Sequence, residues 1–129
     1  MTTNVRRIIG IDDVPAIATR GADIRLLLTP GTVGAATGFL GIALVKPGER
    51  IIEHYHPYSD EFLYLAAGDV ILDLDDEPIN LCAGQAVLVP RNVRHRVRNA
   101  GAVEARIVFH LCPLAPRFDL GHVDTEERP

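Results

Sequence analysis

An all-β sandwich or barrel in a single domain is the fold this sequence predicts, on three observations. Glycine, proline and aspartate punctuation recurs at close intervals, in KPGE, AAGD, DDEP and NAGA. The runs between are short, apolar and β-rich, as strands are, and no stretch carries the 3.6-residue apolar stripe of a surface helix. At 129 residues the chain can bury one real core but not two.

Composition narrows the function classes. Hydrophobic residues make up 47% and charged residues 23%, the balance of a globular protein rather than a disordered one. Thirteen basic against seventeen acidic residues give a net charge of −4, so nothing in the overall field draws the chain to nucleic acid or an anionic membrane. No apolar run approaches a membrane span. The opening MTTNVRRIIGIDDVP lacks the long apolar region and cleavage site of a secretory signal, so a cytoplasmic location is expected. The two cysteines, Cys82 and Cys112, suit that compartment and are read as small buried hydrophobes.

In chain order, residues 1–37 form an N-terminal arm and early strands, with Asp12, Asp13 and Pro15 breaking the first segment and ADIRLLLTP giving a short strand ended by Pro30 and Gly31. Thr37 to Val45 is a longer apolar run with glycines at 38 and 41, of a kind buried on both faces or curving around a barrel. KPGE turns the chain into GERIIEHYHPYSDEFLYLAAG. Side chains two apart on a strand share a face, so His54 and His56 point the same way, and Pro57 and Ser59 supply a bend before Glu61 opens the next run. Glu61, Leu63 and Leu65 then face inward, followed by Val70, Leu72 and Leu74, while Asp73 and Asp75 face out. In GQAVLVPRNVRHRVRN a strand ends at Pro90, Asn92 tips a turn, and His95, Val97 and Asn99 face in while Arg94, Arg96 and Arg98 face out. Residues 113–129 form a C-terminal tail.

Two imidazoles and a carboxylate converging across a bend, joined by a third imidazole, are the ligand vocabulary of a borderline divalent metal: zinc, iron, manganese, nickel or copper. The surrounding strand faces make an apolar cup with a few polar groups at its base, suited to a greasy substrate rather than a sugar. The cluster Arg91, Arg94, Arg96 and Arg98 has no interleaved stacking aromatics, which weakens a nucleic-acid reading; it is expected to be an outer strand face balanced by Asp73 and Asp75, the alternative being a docking patch for an acidic acyl carrier protein. Tyr55 and Tyr64 are turned away from the ligand face.

Gly48, His54, His56, Glu61 and Gly68 stand at the spacing of the first cupin motif, and Gly84, Pro90, His95 and Asn99 at that of the second. The sequence therefore resembles the cupins, which implies a double-stranded β-helix, or jelly-roll barrel, over residues 1–129, with His54, His56, His95 and Glu61 as metal ligands. One position departs from the pattern: Asn92 stands where glycine is usual, and asparagine is the next most tolerant residue of positive φ. Beyond the motifs, HYHPYSDEF, PRNVRHRVRN and VFHLCPLAPRFDLGHVDTE resemble the small cupins among bacterial aromatic polyketide cyclases. That resemblance implies a metal-dependent, non-redox ring closure of a poly-β-ketone by intramolecular aldol-type attack and dehydration, with zinc the expected metal and iron, nickel, copper or manganese the alternatives. It also implies that His110 can join as a fourth imidazole, leaving Glu61 as base or outer partner, with His54 and His95 beside it in catalysis. His122, in the polar tail, is expected at the surface. A homodimer paired through the N-terminal arm, a polyketide substrate and delivery by an acyl carrier protein complete the expectation. Two rival readings stand beside it: an iron or copper dioxygenase, and a non-catalytic accessory cupin of a synthase complex.

Overall fold

The structure, a computed structural model, describes residues 7–129. The start of the N-terminal arm, residues 1–6, lies outside the described residues. Ten strands follow in chain order: β1 (Asp23–Leu28), β2 (Phe39–Val45), β3 (Arg50–Tyr55), β4 (Asp60–Ala67), β5 (Asp69–Leu74), β6 (Glu77–Cys82), β7 (Ala86–Val89), β8 (His95–Arg98), β9 (Ala105–Cys112) and β10 (Val123–Asp124). Among the described residues, helix is confined to one turn at Pro30–Val33 and two 3-10 turns, Ile11–Asp13 and Phe118–Leu120.

The strands form two antiparallel five-stranded sheets, β1-β2-β9-β4-β7 and β10-β3-β8-β5-β6, which close over a common interior as a jelly-roll barrel. The turns are where the sequence punctuates. Gly48 and Gly68 both take φ 84, Asp75 and Asp76 take φ 46 and 74 in the β5–β6 hairpin, and Asn92 adopts φ 69, as its tolerance of the left-handed region allows.

The interior divides into two ends. At one, Val45, Leu65, Val70, Leu72, Leu81 and Ala105 are buried and fill the barrel. Asn99, expected to face the cup, belongs to this end: its amide donates to the carbonyls of Val45 and Val103, and its side-chain oxygen accepts from Gly101 N, so it closes the loop before β9. At the other end the barrel stays open. Gly41 makes room for it, since a Cβ there would come within 2.5 Å of the Phe109 ring, which lines the cavity.

Outside, the arginines are paired as a balanced strand face. Arg98 donates to both oxygens of Asp73 at 2.8 and 2.9 Å, and Arg96 reaches Glu126 at 2.8 Å. Arg94 donates to Glu53 at 3.1 Å and to Asp76 at 3.0 Å. One expectation fails here: Cys82 is exposed at the end of β6, an edge strand with one face in solvent, and Cys112, at the end of β9, is only partly buried.

Candidate metal centre

The site forms where the two sheets meet at the open end. His54 on β3 and His95 on β8 are direct cross-strand partners, so their rings share the inner face, with centroids 4.2 Å apart. His56 follows two residues after His54, just past the end of β3, and Glu61 reaches in from β4 in the opposite sheet. All four side chains are buried, and one ligand atom from each lies within 4.8 Å of the others.

Hydrogen bonding fixes how the three rings present themselves. Nδ1 of His54 lies 2.8 Å from the Ile52 carbonyl, that of His95 2.9 Å from the Val93 carbonyl, and that of His56 2.9 Å from the Gly121 carbonyl. A carbonyl only accepts, so each Nδ1 carries a proton and donates it. Nε2 of every ring is thereby turned toward the centre. Metal-binding histidines are oriented and kept in one tautomer by such bonds, so this set fits a divalent metal on its own geometry.

Glu61 sits among these nitrogens, with Oε1 2.9 Å from His95 Nε2 and 3.2 Å from His56 Nε2. Burial works to raise its pKa, but the hydrogen bonds from His56 and His95 outweigh that and hold the carboxyl well below its usual range. Burial also acts to lower His95, yet the Glu61 carboxylate prevails and raises it. His54, facing the same burial with neighbouring imidazoles and a more distant carboxylate, is held well below the ordinary histidine value and stays neutral. His95, whose Nδ1 already donates to Val93, donates from Nε2 to Glu61 as the imidazolium, and a divalent metal would take the place of that proton on neutral imidazole beside the ionised carboxylate.

Above this floor lies an apolar cup lined by Ile24, Leu26, Phe39, Leu63, Phe109 and Leu111, among others. Its volume of about 240 Å³ far exceeds that of the few waters a metal would hold, at roughly 30 Å³ each, so an organic substrate fits beside the ion. The C-terminal segment roofs the cup with Leu114, Ala115 and Phe118, whose ring lies 5.5 Å from Phe39. Three contacts tie the roof down: Ser59 Oγ donates to the Pro113 carbonyl, His56 to that of Gly121, and β10 pairs with β3.

Two histidines change places relative to expectation. His110 is not brought to the cluster: Ile107, Phe109 and Leu111 take the inward positions of β9, so alternation turns His110 outward. There its ring lies 6.0 Å from that of Phe62, over a backbone that only Gly38 keeps clear, since a Cβ at Gly38 would come within 2.6 Å of His110 Nε2. His122, expected at the surface, lies half-buried in the cup, stacked on His54 at 4.2 Å with its Nε2 2.6 Å from Asp124. Burial and nearby Arg20 lower its pKa to about 4, so it is neutral. A signal for it was faint, because the two-residue β10 that carries the chain back to β3 is too short to show any period.

A two-sheet barrel with three imidazoles and a carboxylate at its open end is the architecture of a cupin, and the family model described as cupin domain matches residues 41–111. The chain belongs to the cupin family. It is 63% identical to Protein SchB of Streptomyces halstedii over 98% of its own length and 92% of that protein's. It is 54% identical to Polyketide synthase CurC of Streptomyces cyaneus, across 93% of this chain and 78% of that one. Among solved structures, the polyketide cyclase RemF of Streptomyces resistomycificus superposes with a TM-score of 0.75 at 21% identity, covering 95% of this chain and 87% of RemF, a likeness of fold. Among the described residues no helix is long and apolar enough to cross a membrane.

Proposed function

We propose that the protein is a metal-dependent polyketide cyclase that closes a ring in a poly-β-ketone by aldol-type attack and dehydration. The observation that carries this reading is the floor of the cup: three imidazoles locked by backbone carbonyls into inward-facing tautomers, beside an ionised carboxylate, beneath an apolar space. The likeness to Polyketide synthase CurC, at 54% identity, supports a polyketide as the substrate class.

In this reading His54, His56 and His95 hold the metal through Nε2, and Glu61 completes the set from the opposite sheet. When bound, a divalent metal, zinc for a non-redox reaction, supplies Lewis-acid polarisation of a ketone oxygen. The chain's own groups do the rest. Both imidazole contacts to Glu61 fall on Oε1, so Oε2 is the atom placed to take a proton from a methylene carbon between two ketones. That carbon then bonds to a second ketone carbon, whose oxygen takes up a proton, and water leaves as the ring becomes aromatic. The apolar walls fold the flexible chain so that one pair of carbons meets, removing an entropic part of the barrier.

The alternative reading of the arginine cluster as a docking patch for an acyl carrier protein has less to stand on, because Arg94, Arg96 and Arg98 are each engaged by carboxylates of this chain. Among the described residues, pairing of two copies finds an exposed apolar surface on the outer face of β4 and β7, at Phe62, Tyr64 and Leu88. Sedimentation at micromolar concentration checks it, and a single-chain mass removes it.

Elemental analysis of the purified protein, followed by chelation and metal add-back under strict anaerobiosis, tests the function. About one zinc per chain with oxygen-independent recovery of ring closure is the expected result. Iron or copper with an oxygen requirement would overturn it in favour of a dioxygenase. Full pathway output after His54→Ala with His95→Ala would leave an accessory protein.

A further inference from the structure

The cup contains one group that the ring-closing reading does not use. Among the described residues that line it, Arg20 is the one permanent cation, in a wall otherwise apolar apart from the imidazoles, Ser59, Glu61 and Asp119. Asp119 is exposed and already paired with Arg117, and Glu61 is held by His56 and His95. Arg20 is fixed in place, since its carbonyl accepts from Ile52 N at 3.1 Å. Its Nε lies 2.8 Å from His122 Nε2 and 3.4 Å from Asp124 Oδ1. No described residue hydrogen-bonds its two terminal amino groups, although the side chain is only 23% exposed.

That arrangement is unlike a structural ion pair. Guanidinium and carboxylate satisfy each other best as parallel forks, with two N–H donors meeting two oxygens. Here Asp124 takes only the Nε edge and shares the same oxygen with His122. The outer edge of the planar fork is left without a described protein partner at the rim of an apolar cavity, its amino groups open to solvent rather than buried. A flat anion with two oxygens is the partner it fits.

We infer that Arg20 is the binding residue for a carboxylate at one end of the substrate, so that the cup takes a free polyketo acid rather than a carrier-bound thioester. The inference rests on the polyketide reading above and names the form in which the chain arrives. Arg20 contacts His122, which stacks on His54, so the fork stands one imidazole layer from the metal cluster. A carboxylate held at Arg20 leaves the ketones behind it to reach the floor. A thioester end carries no charge, and its carrier would have to occupy the same rim. Hydrolytic release of the thioester, giving the acid and a thiol, is then the class of reaction that must supply this substrate.

Calorimetric titration of the zinc-loaded protein with 2-naphthoate and with its neutral isostere 2-naphthamide tests the inference. The wild type is expected to prefer the carboxylate by about tenfold or more, the scale of a hydrogen bond to a charged group. Arg20→Met should cut the preference to about threefold or less while naphthamide affinity stays unchanged, which shows the cup intact. Arg20→Lys should recover part of it, and Asp124→Asn, which removes the competing carboxylate, should widen it. No preference in the wild type would overturn the inference, as would a wild-type preference in Arg20→Met, which would place the carboxylate at the metal. The readout is independent of turnover. Ring closure can fail while the preference tracks Arg20, or stand while it does not, so the two readings fail separately.

Discussion

The floor and the roof of the cup are built on opposite principles. The floor hangs on regular strands: His54 and His95 face each other across β3 and β8, and Glu61 enters from β4. Its positions follow from alternation and from a backbone hydrogen-bonded in register, so the geometry exists before anything binds. The roof, residues 113–122, has no sheet register until the two residues of β10. It is placed by separate tethers: Ser59 to Pro113, His56 to Gly121, and beyond β10 the Glu126 carboxylate. The difference teaches that chemistry resides in the rigid half and access in the tethered half, and that His56 belongs to both.

Removing a floor ligand should break the comparison most severely. His95→Ala is expected to lower metal affinity by more than about 100-fold, beyond the effect typical of an outer-sphere change, and to abolish ring closure. Competition with a chromophoric chelator measures it. A variant that keeps its metal and activity would mean that the floor is not the site. Glu61→Gln comes next: it keeps the shape and hydrogen-bonding capacity but loses the anion between His56 and His95. Turnover should fall about 10²- to 10⁴-fold, the range for a lost general base, with much smaller loss of metal. Equal losses of both would make Glu61 a ligand alone.

The same division explains what was legible in the sequence. His54, His56, Glu61 and His95 could be assigned to one face because they lie on or next to strands long enough for period two to act, with glycine, proline and asparagine marking each turn. The inward set Leu63, Leu65, Val70 and Leu72 followed by the same parity and is buried. Alternation left the facing of His110 open, and the resemblance alone implied that it joins the cluster; in the structure it shares the outward face of exposed Arg106, two positions on from Val108. His122 and Arg20 were hidden for another reason: their environment is made by contacts more than 100 residues apart in sequence, and no local pattern encodes them. Asn99 faced inward as its parity required, but toward the filled end of the barrel.

Loosening the roof should give an intermediate effect that pH can read. Glu126 accepts Glu53 N at 2.9 Å, Arg96 Nε at 2.8 Å and Arg50 Nε at 2.7 Å. Partial burial would raise its pKa, but these donors lower it from 4.5 to about 2. Because the folded value is depressed, the stability it contributes is complete above about 4.5 and is lost as pH falls toward 2. Glu126→Gln should cost on the order of 1–2 kcal/mol at neutral pH, the scale of hydrogen bonds to a charged group, and flatten the acid limb of stability in that window. Denaturant unfolding of both proteins from pH 2 to 7 checks it. An unchanged acid limb would show that the tail is not held by this carboxylate.

The smallest effect belongs to His110, and it is the sharpest control on the floor. Its ring lies outside the barrel against Phe62, with the β4–β9 sheet between it and the metal ligands. His110→Ala should therefore leave metal affinity within about twofold of the wild type, while exposing the Phe62 edge costs at most about 1 kcal/mol, as for a partly exposed aromatic contact. His110→Gln should do the same on metal and less on stability. A tenfold drop in metal affinity from either would mean that β9 shifts register to turn residue 110 inward. Such a slip by one residue would carry Phe109 and Leu111 out of the cup, and the apolar lining would be lost with them.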